Sequence, residues 1–258
     1  MISLLLLLFI VMISMGGYFF KLLTKSGSIA AFLIGVTVSY GFGIKGLLLL
    51  GFFFASSSFW SKFKRKAKMK MEERHEKGSQ RDWQQVAANG GTAALFSLLN
   101  YTIPSPIWLI GFAIAIAAAN SDTWASEIGS LSKRKPIFIR TLKRIESGTS
   151  GAVSSLGTVA AIIGALTIAL LSYYFFRLTI LEALIIFGLG FTGNLIDTVL
   201  GAFFQVVYQC KICGTEVESL NHCGTSTIKK RGLSIFNNDF VNFSSGFLAA
   251  LFGMMLLK

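Results

Sequence analysis

The chain has 258 residues, of which 53% are hydrophobic and 14% are charged. Soluble domains carry about a quarter charged residues, so this composition excludes an ordinary soluble protein, a disordered chain and a small disulfide-stapled domain. The formal charge of +12 is consistent with binding to anionic lipid, with binding to a nucleotide, or with a role in setting membrane topology. We expect no nucleic acid partner. A single integral membrane domain over residues 1–258 is the expectation.

Charge-poor, apolar segments recur along the whole chain and predict membrane-spanning helices. The first of them has no basic segment before it and no small-residue cleavage site after it, so we interpret it as a retained helix rather than a signal peptide. The predicted fold is an all-α integral membrane bundle of about eight transmembrane helices, with cytoplasmic loops forming the site. The predicted spans are residues 2–20, 28–44, 46–60, 86–101, 107–121, 152–176, 179–207 and 241–257.

The positive charges favour one orientation of these spans. With eight alternating spans, all but three of the 24 Lys and Arg residues fall on the same side; the exceptions are Lys45, Arg177 and Lys258. Cytoplasmic loops retain an excess of Lys and Arg. We therefore predict a multi-pass protein of the cell membrane with both termini on the non-cytoplasmic side. The cytoplasmic segments are then 61–85, 122–151 and 208–240.

A strongly basic run lies between Lys62 and Lys70 and is typical of a helix that continues out of the membrane. One interpretation is a topology anchor on anionic headgroups, worth about 1 kcal/mol per basic residue. The alternative is that some of these cations, with Gln80, Arg81 and Gln85, contact a substrate phosphate.

Acidic and polar residues stand where an apolar helix reaches the cytoplasmic boundary. Asn120, Ser121 and Asp122 follow an uncharged run, with Glu127 close behind. An ionisable group at membrane depth is costly and usually faces a cavity, a partner or an ion. Asp122 is therefore either a helix cap or a site residue.

The loop after Asp122 is rich in cations and ends in small residues. Lys143 and Arg144 precede Gly148, Thr149 and Ser150, which we expect to open the next helix. Free backbone N–H groups at a helix N-terminus attract anions. The segment therefore predicts a phosphate cradle, although it does not match the Walker pattern.

A second acidic group occurs in GNLIDTVLGAFFQ. Asn194 and Asp197 are spaced i, i+3 and share one helix face. They either bond neighbouring helices through a small-residue interface, or Asp197 and Asp122 together hold Mg²⁺, which typically binds one or two carboxylates plus phosphate oxygens.

Polar residues also stand at the start of the last span, in FNNDFVNF. Asn238, Asp239 and Asn242 could line a site, and Asp239 could equally cap the helix.

A cysteine- and histidine-rich segment, CKICGTEVESLNHCG, precedes this stretch. Cys210, Cys213, His222 and Cys223 resemble a compact structural Zn²⁺ loop, although the second pair is adjacent rather than spaced. Reduced free thiols are the alternative in a cytoplasmic loop.

Several of these motifs resemble one known family. SDTWASEIG, GTSGAVSSLG, GNLIDTVLGA, FNNDFVNF and GSQRDWQQVAANGG are similar to the integral membrane family that contains plant and cyanobacterial phytyl-phosphate kinase and animal transmembrane protein nineteen, known as domain of unknown function ninety-two. The likeness runs from about residue 56 to the C-terminus. A more distant similarity links the chain to CTP-dependent prenyl-alcohol kinases and CDP-diglyceride synthases.

The resemblance implies an enzyme that uses CTP and a divalent metal on a lipid. Together with the residue chemistry, it leads to the hypothesis that the chain phosphorylates an isoprenoid monophosphate. The lipid bilayer is the expected environment, and a homo-oligomer is a possible assembly. Asp122 and Asp197 would bind the metal, with Glu127 beside them. The expected nucleotide and phosphate contacts are Asn120, Ser121, Lys143, Arg144, Gly148, Thr149, Ser150, Asn194, Asn238, Asp239 and Asn242. The rival functions are a membrane cytidylyltransferase and a lipid or ion transporter.

Overall fold

The computed structural model describes residues 4–72 and 80–257, without the side chains of 69–72. Parts of two predictions, the first residues of span 2–20 and the middle of cytoplasmic segment 61–85, lie outside the described residues. Eight helices lie in the described ranges: α1 Leu4–Phe19, α2 Lys25–Lys62, α3 Arg65–Glu72, α4 Trp83–Thr102, α5 Pro106–Gly129, α6 Ser155–Phe176, α7 Ile180–Phe203 and α8 Asn238–Leu256.

Helix α2 consists of two arms that fold back on each other. The backbone at Gly43 is non-helical, with φ 61° and ψ −151°, a conformation that glycine adopts without a Cβ penalty. A Cβ on Gly35 would lie 3.8 Å from the Leu47 side chain, whereas residues twelve apart in a straight helix are about 18 Å apart. The arms therefore run antiparallel and correspond to the two predicted spans 28–44 and 46–60.

Among the helices of residues 4–72 and 80–257, five are long and apolar enough to cross a membrane: α2, α5, α6, α7 and α8. The 16-residue α1 is a shorter apolar helix. The chain is thus a mostly helical protein with several candidate spans, while the count of about eight stays a prediction.

Helix α5 forms the centre of the bundle. Its residues from Ile110 to Ala118 are almost entirely buried, and it packs against α4, α6, α7 and α8. Small residues allow the closest approach: a Cβ on Gly190 or Gly193 of α7 would lie within 2.5 Å of the Ala117 or Ala118 Cβ of α5. Tight small-residue contacts of this kind are typical of helix pairs in membranes.

The prediction of an all-α fold is incomplete, because short strands lie in the loops. They are β1 Ile137–Phe138, β2 Lys143–Arg144, β3 Ala152–Val153, β4 Val207–Gln209, β5 Glu216–Val217, β6 Asn221–His222, β7 Thr225–Ser226 and β8 Ile228–Arg231. They form two three-stranded sheets, β2-β1-β3 and β5-β4-β8, and the β6-β7 hairpin. Loop backbone needs hydrogen-bond partners, and these antiparallel ladders supply them where the apolar helix pattern has ended.

The loops predicted to be cytoplasmic gather at one end of the bundle. Lys62 Nζ donates to Phe20 O at 2.9 Å, and Thr24 N donates to Arg81 O at 3.0 Å. At the other end, Asn100 Nδ2 donates to Gly41 O. Lys68 also pairs with Glu127, and Gly148 and Glu218 line one cleft. The segments grouped by their positive charge are therefore neighbours in space.

Several predicted helix ends differ from the observed ones. Helix α5 continues beyond Ser121 to Gly129, and α6 begins at Ser155 rather than at Ala152. Helix α2 does not continue into the basic run, since Lys64 adopts φ 51° and α3 starts separately. Polar turns can remain helical when tertiary contacts hold them, so the apolar run predicts too short a helix for α5.

Candidate active site

A polar cleft of about 160 Å³ opens between α5, α6, α7 and the loops at this end of the bundle. Asp122 enters it from α5 and Asp197 from α7, and these two carboxyl groups are close enough to interact electrostatically. Asn194 and Asn238 also line the cleft. The two acids predicted to meet are therefore brought together by the contact between α5 and α7.

Asp197 is held on one side by the last helix. Ser245 Oγ of α8 donates to Asp197 Oδ2 at 3.3 Å, and the same hydroxyl lies 3.0 Å from Asn242 O. Ser245 is almost fully buried. Helix α8 therefore helps to fix the orientation of the carboxylate that faces the cleft.

The small-residue turn at 148–151 forms another wall of the cleft. Gly148 and Gly151 have φ of 84° and 82°, and a Cβ on Gly151 would lie 2.5 Å from Ala202 of α7. Only glycine fits this backbone and this close approach. The expectation that the turn opens the next helix is wrong, because β3 follows it and Ser154 caps α6.

Glu218 is a third acid in the cleft and is not one of the predicted site residues. Gln205 connects it to the glycine turn: Ser150 Oγ donates to Gln205 Oε1 at 2.6 Å, and Gln205 Nε2 donates to Glu218 Oε1 at 2.8 Å. Gln205 is 1% exposed. No sequence pattern marked Glu218, because its place at the cleft depends on the bond from the buried Gln205, which needs polar partners.

The lining of the cleft is acidic. Asp122, Asp197 and Glu218 line it, and no Lys or Arg is among the described residues that do. Carboxylates with amide and hydroxyl oxygens are the ligands preferred by hard divalent cations such as Mg²⁺. A polyphosphate would meet repulsion here unless a cation lay between it and the acids.

Asn120 and Ser121 lie on the same helix as Asp122 but contact other helices. Asn120 Nδ2 donates to Gly164 O at 2.8 Å, and Ser121 Oγ donates to Ala161 O at 2.9 Å. Both side chains are fully buried. They join α5 to α6 and are not among the residues that line the cleft.

Glu127 faces away from the cleft and pairs with Lys68 of α3. The distance from Lys68 Nζ to Glu127 Oε2 is 2.7 Å, with the two side chains 4% and 25% exposed. Lys68 Nζ also donates to Trp60 O. Glu127 therefore anchors α3 to the bundle, and one cation of the basic run is buried rather than available to lipid.

The remaining predicted phosphate contacts lie outside the cleft lining. Lys143 and Arg144 are exposed on β2. Asp239 is in the first turn of α8, but the cap is Asn237, whose side chain accepts from Phe240 N. The structure thus brings Gly148, Thr149, Ser150, Asn194 and Asn238 to the two acids, whereas Asp239 and Asn242 are not among the residues that line the cleft.

Arg81 lines two further cavities that share no described lining residue with the acidic cleft. One, of about 100 Å³, is apolar and lies between α1, both arms of α2 and α4. The other, of about 230 Å³, also contains Lys21, Lys62 and Arg65. The alternative that the basic run meets a phosphate stays a prediction and would concern this separate surface.

The three cysteines and His222 form a cluster outside the bundle. One ligand atom from each of Cys210, Cys213, His222 and Cys223 lies within 4.8 Å of every other. Backbone hydrogen bonds from Cys213 and Ile212 lower the pKa of the Cys210 thiol. The neighbouring Cys213 sulfur raises the pKa of Cys223 to about 11. Because the four ligand atoms converge, the cluster is able to hold a cation.

Comparison with known proteins identifies the family. The family described as Integral membrane protein DUF92 matches residues 8–250. The chain belongs to this family. Four of the five motifs that carried the resemblance converge on the cleft: SDTWASEIG supplies Asp122, GTSGAVSSLG the glycine turn, GNLIDTVLGA Asp197 and FNNDFVNF Asn238.

Three relatives show how far the similarity extends. Protein PGR of Arabidopsis thaliana is 32% identical over 91% of this chain and 88% of its own length. An uncharacterized membrane protein of Methanocaldococcus jannaschii is 39% identical over 72% and 76%. Protein VTE6, chloroplastic, of Arabidopsis thaliana is 24% identical over 91% and 65%. No solved structure matches.

Proposed function

We propose that this DUF92 protein transfers the terminal phosphoryl group of CTP to an isoprenoid monophosphate at the cytoplasmic face of the membrane, giving an isoprenoid diphosphate and CDP. The observation that carries the proposal is the meeting of Asp122 and Asp197 in one acidic cleft beside a glycine turn. The likeness to the phytyl-phosphate kinase family supplies the reaction, the donor and the class of acceptor. The gathering of basic loops at that end supports the cytoplasmic side.

Asp122 and Asp197 would hold Mg²⁺, with Glu218 as a further carboxylate near it. The hard oxygen donors fit this ion, and the acidic lining gives a physical reason for it. When bound, the metal neutralises phosphate charge and orients the triphosphate.

The glycine turn would contact the phosphates through its hydroxyls and backbone. Thr149 and Ser150 stand beside glycines whose φ values allow close backbone approach. Ser150 is fixed by Gln205, so its position is set before substrate binds. The acceptor is a monophosphate that is already ionised, and phosphoryl transfer mainly requires positioning and charge neutralisation. No strong general base is therefore needed.

The experiment is product analysis with two labels. Purified protein in detergent receives Mg²⁺, a panel of isoprenyl monophosphates and alcohols, and CTP labelled at either the γ- or the α-phosphate. The proposal expects the γ-label in a lipid diphosphate and the α-label in CDP. An α-label in the lipid with release of pyrophosphate would instead identify a cytidylyltransferase.

Matched variants test the site. Asp122→Asn and Asp197→Asn should each lower turnover at least about 100-fold, because the loss of one transition-state contact costs several kcal/mol. Glu182→Gln makes the same change on α7, outside the cleft, and keeps a side chain able to serve the cap at Thr179. It should remain active. Full turnover in both aspartate variants would reject the proposal, and flux across vesicles without transfer to any acceptor would favour transport.

A further inference from the structure

We propose that Cys210, Cys213, His222 and Cys223 form a structural Zn²⁺ site that fixes the Glu218 loop against the acidic cleft. The first part concerns the metal and is independent of the activity. The second part, that this loop matters for turnover, rests on the proposed function.

The distances from His222 to two of the sulfur atoms suit a tetrahedral site. His222 Nδ1 lies 3.5 Å from Cys213 Sγ and 3.3 Å from Cys223 Sγ. Around tetrahedral Zn²⁺ with Zn–S of about 2.3 Å and Zn–N of about 2.0 Å, nitrogen and sulfur are about 3.5 Å apart. Three thiols and one imidazole are a common structural zinc set.

The backbone explains how the adjacent His222 and Cys223 both reach the cluster. Neighbouring residues in an extended strand point to opposite faces. Cys223 instead has φ 51° and Gly224 φ 73°, in the two-residue turn of the β6-β7 hairpin. Positive φ at both positions is the type I′ arrangement, which favours Asn and Gly. A cysteine held in this conformation marks a position where the side chain has a role.

The first pair is arranged for a bound sulfur as well. Cys210 and Cys213 lie in the turn between β4 and β5, with Gly214 at φ 71°. Ile212 N donates to Cys210 Sγ at 3.4 Å. N–H groups directed at a sulfur stabilise a thiolate, the form that binds metal. Cys210 is also 2% exposed, so one ligand is already seated in the protein.

The same four residues enclose the segment that carries Glu218. That acid lies between β5 and β6, so its flanking chain is tied to the cluster on one side by Cys213 and on the other by His222. Gln205 holds Glu218 from the bundle. A metal at the cluster would therefore limit the freedom of the loop and keep Glu218 at the cleft.

Metal analysis provides the direct test. Protein expressed with a tag other than polyhistidine and purified without chelator should contain about one Zn²⁺ per chain by plasma mass spectrometry. Cys213→Ser and His222→Ala should lower this to below about 0.2 per chain. His75→Ala changes the other histidine of the chain, which is not one of the four proposed ligands, and should retain the metal.

A second measurement does not depend on activity. Trypsin should cut at Lys211 and Lys229 faster in Cys213→Ser than in the wild type, while the helices remain intact. A wild type without zinc, zinc that persists in both ligand variants, or another metal at one per chain would overturn the site. If zinc-free Cys213→Ser is cleaved by trypsin and turns over substrate at wild-type rates, the positioning role is refuted. If the wild type has no kinase activity, the proposed function fails but the metal result stands.

Discussion

The contact between α5 and α7 leads to a quantitative prediction, because it determines how Asp197 approaches Asp122. A Cβ on Gly193 would lie 2.4 Å from Ala118 Cβ, whereas carbon atoms in contact prefer about 3.6 Å. Gly193→Ala must therefore separate the helices by about 1.2 Å, and such overpacking typically costs about 1–3 kcal/mol. Asp197 lies one turn later on the same face of α7.

The expected result is a loss of turnover larger than the loss of stability suggests. A displacement of about 1 Å at a reacting group can cost about 100-fold in rate. The assay is phosphoryl transfer in detergent, with the thermal midpoint of unfolding measured on the same samples. Gly188→Ala is the matched control on the same helix, because nothing lies within 4 Å of a Cβ at that position.

A double variant separates displacement from simple misfolding. Ala118→Gly removes the methyl group that the added Cβ at position 193 would meet, so Gly193→Ala with Ala118→Gly should recover most of the turnover and stability. The reasoning is refuted if Gly193→Ala behaves like Gly188→Ala in both measurements. It is also refuted if the double variant is no better than the single one.

Three further variants test separate parts of the structure. Glu127→Gln leaves Lys68 buried without its carboxylate and should lower the free energy of unfolding by about 3 kcal/mol; an unchanged midpoint in a denaturation series would argue against the ion pair. Gly151→Ala places a Cβ 2.5 Å from Ala202 in a backbone with φ 82°, and should abolish turnover at normal expression; wild-type kinetics would contradict the rigid turn. Glu218→Gln keeps the acceptor for Gln205 and removes the charge. It should raise the Mg²⁺ concentration needed for half-maximal turnover several-fold while thermal stability is retained; an unaltered Mg²⁺ titration would exclude Glu218 from the metal environment.

The helices could be predicted because lipid imposes a simple requirement on the sequence. Backbone groups in the bilayer must be bonded within the segment, so long charge-free runs mark helices. The fold-back at Gly43 lies two residues before the predicted gap at residue 45. Helix ends were less accurate. Helix α5 keeps its geometry beyond Ser121 because α6 and α3 supply polar partners there, and such contacts are not visible in a hydropathy pattern.

The site was predicted in part for the same reason. Helical spacing identified Asn194 and Asp197, since residues on one face must share surroundings. The sequence could not tell that Asn120 and Ser121 turn towards α6, because the face that each neighbour covers depends on packing. Glu218 lies in a loop where no periodicity applies, and its role becomes apparent only through the bond from Gln205.

Helix α5 shows why acidic residues at a membrane boundary need their partners identified before a role is assigned. Asp122 and Glu127 are five residues apart, which places them about 140° apart around the helix. Glu127 meets Lys68, so its charge is compensated within the protein. Asp122 meets Asp197, with Glu218 in the same cleft, and the described lining offers no basic side chain. An ion pair is complete without a ligand, whereas a group of like charges at low dielectric requires a cation or protons. Titration with Mg²⁺ should therefore raise the thermal midpoint of the wild type but not that of the double variant that combines Asp122→Asn and Asp197→Asn. An equal rise in both proteins would show that the ion does not bind in the cleft.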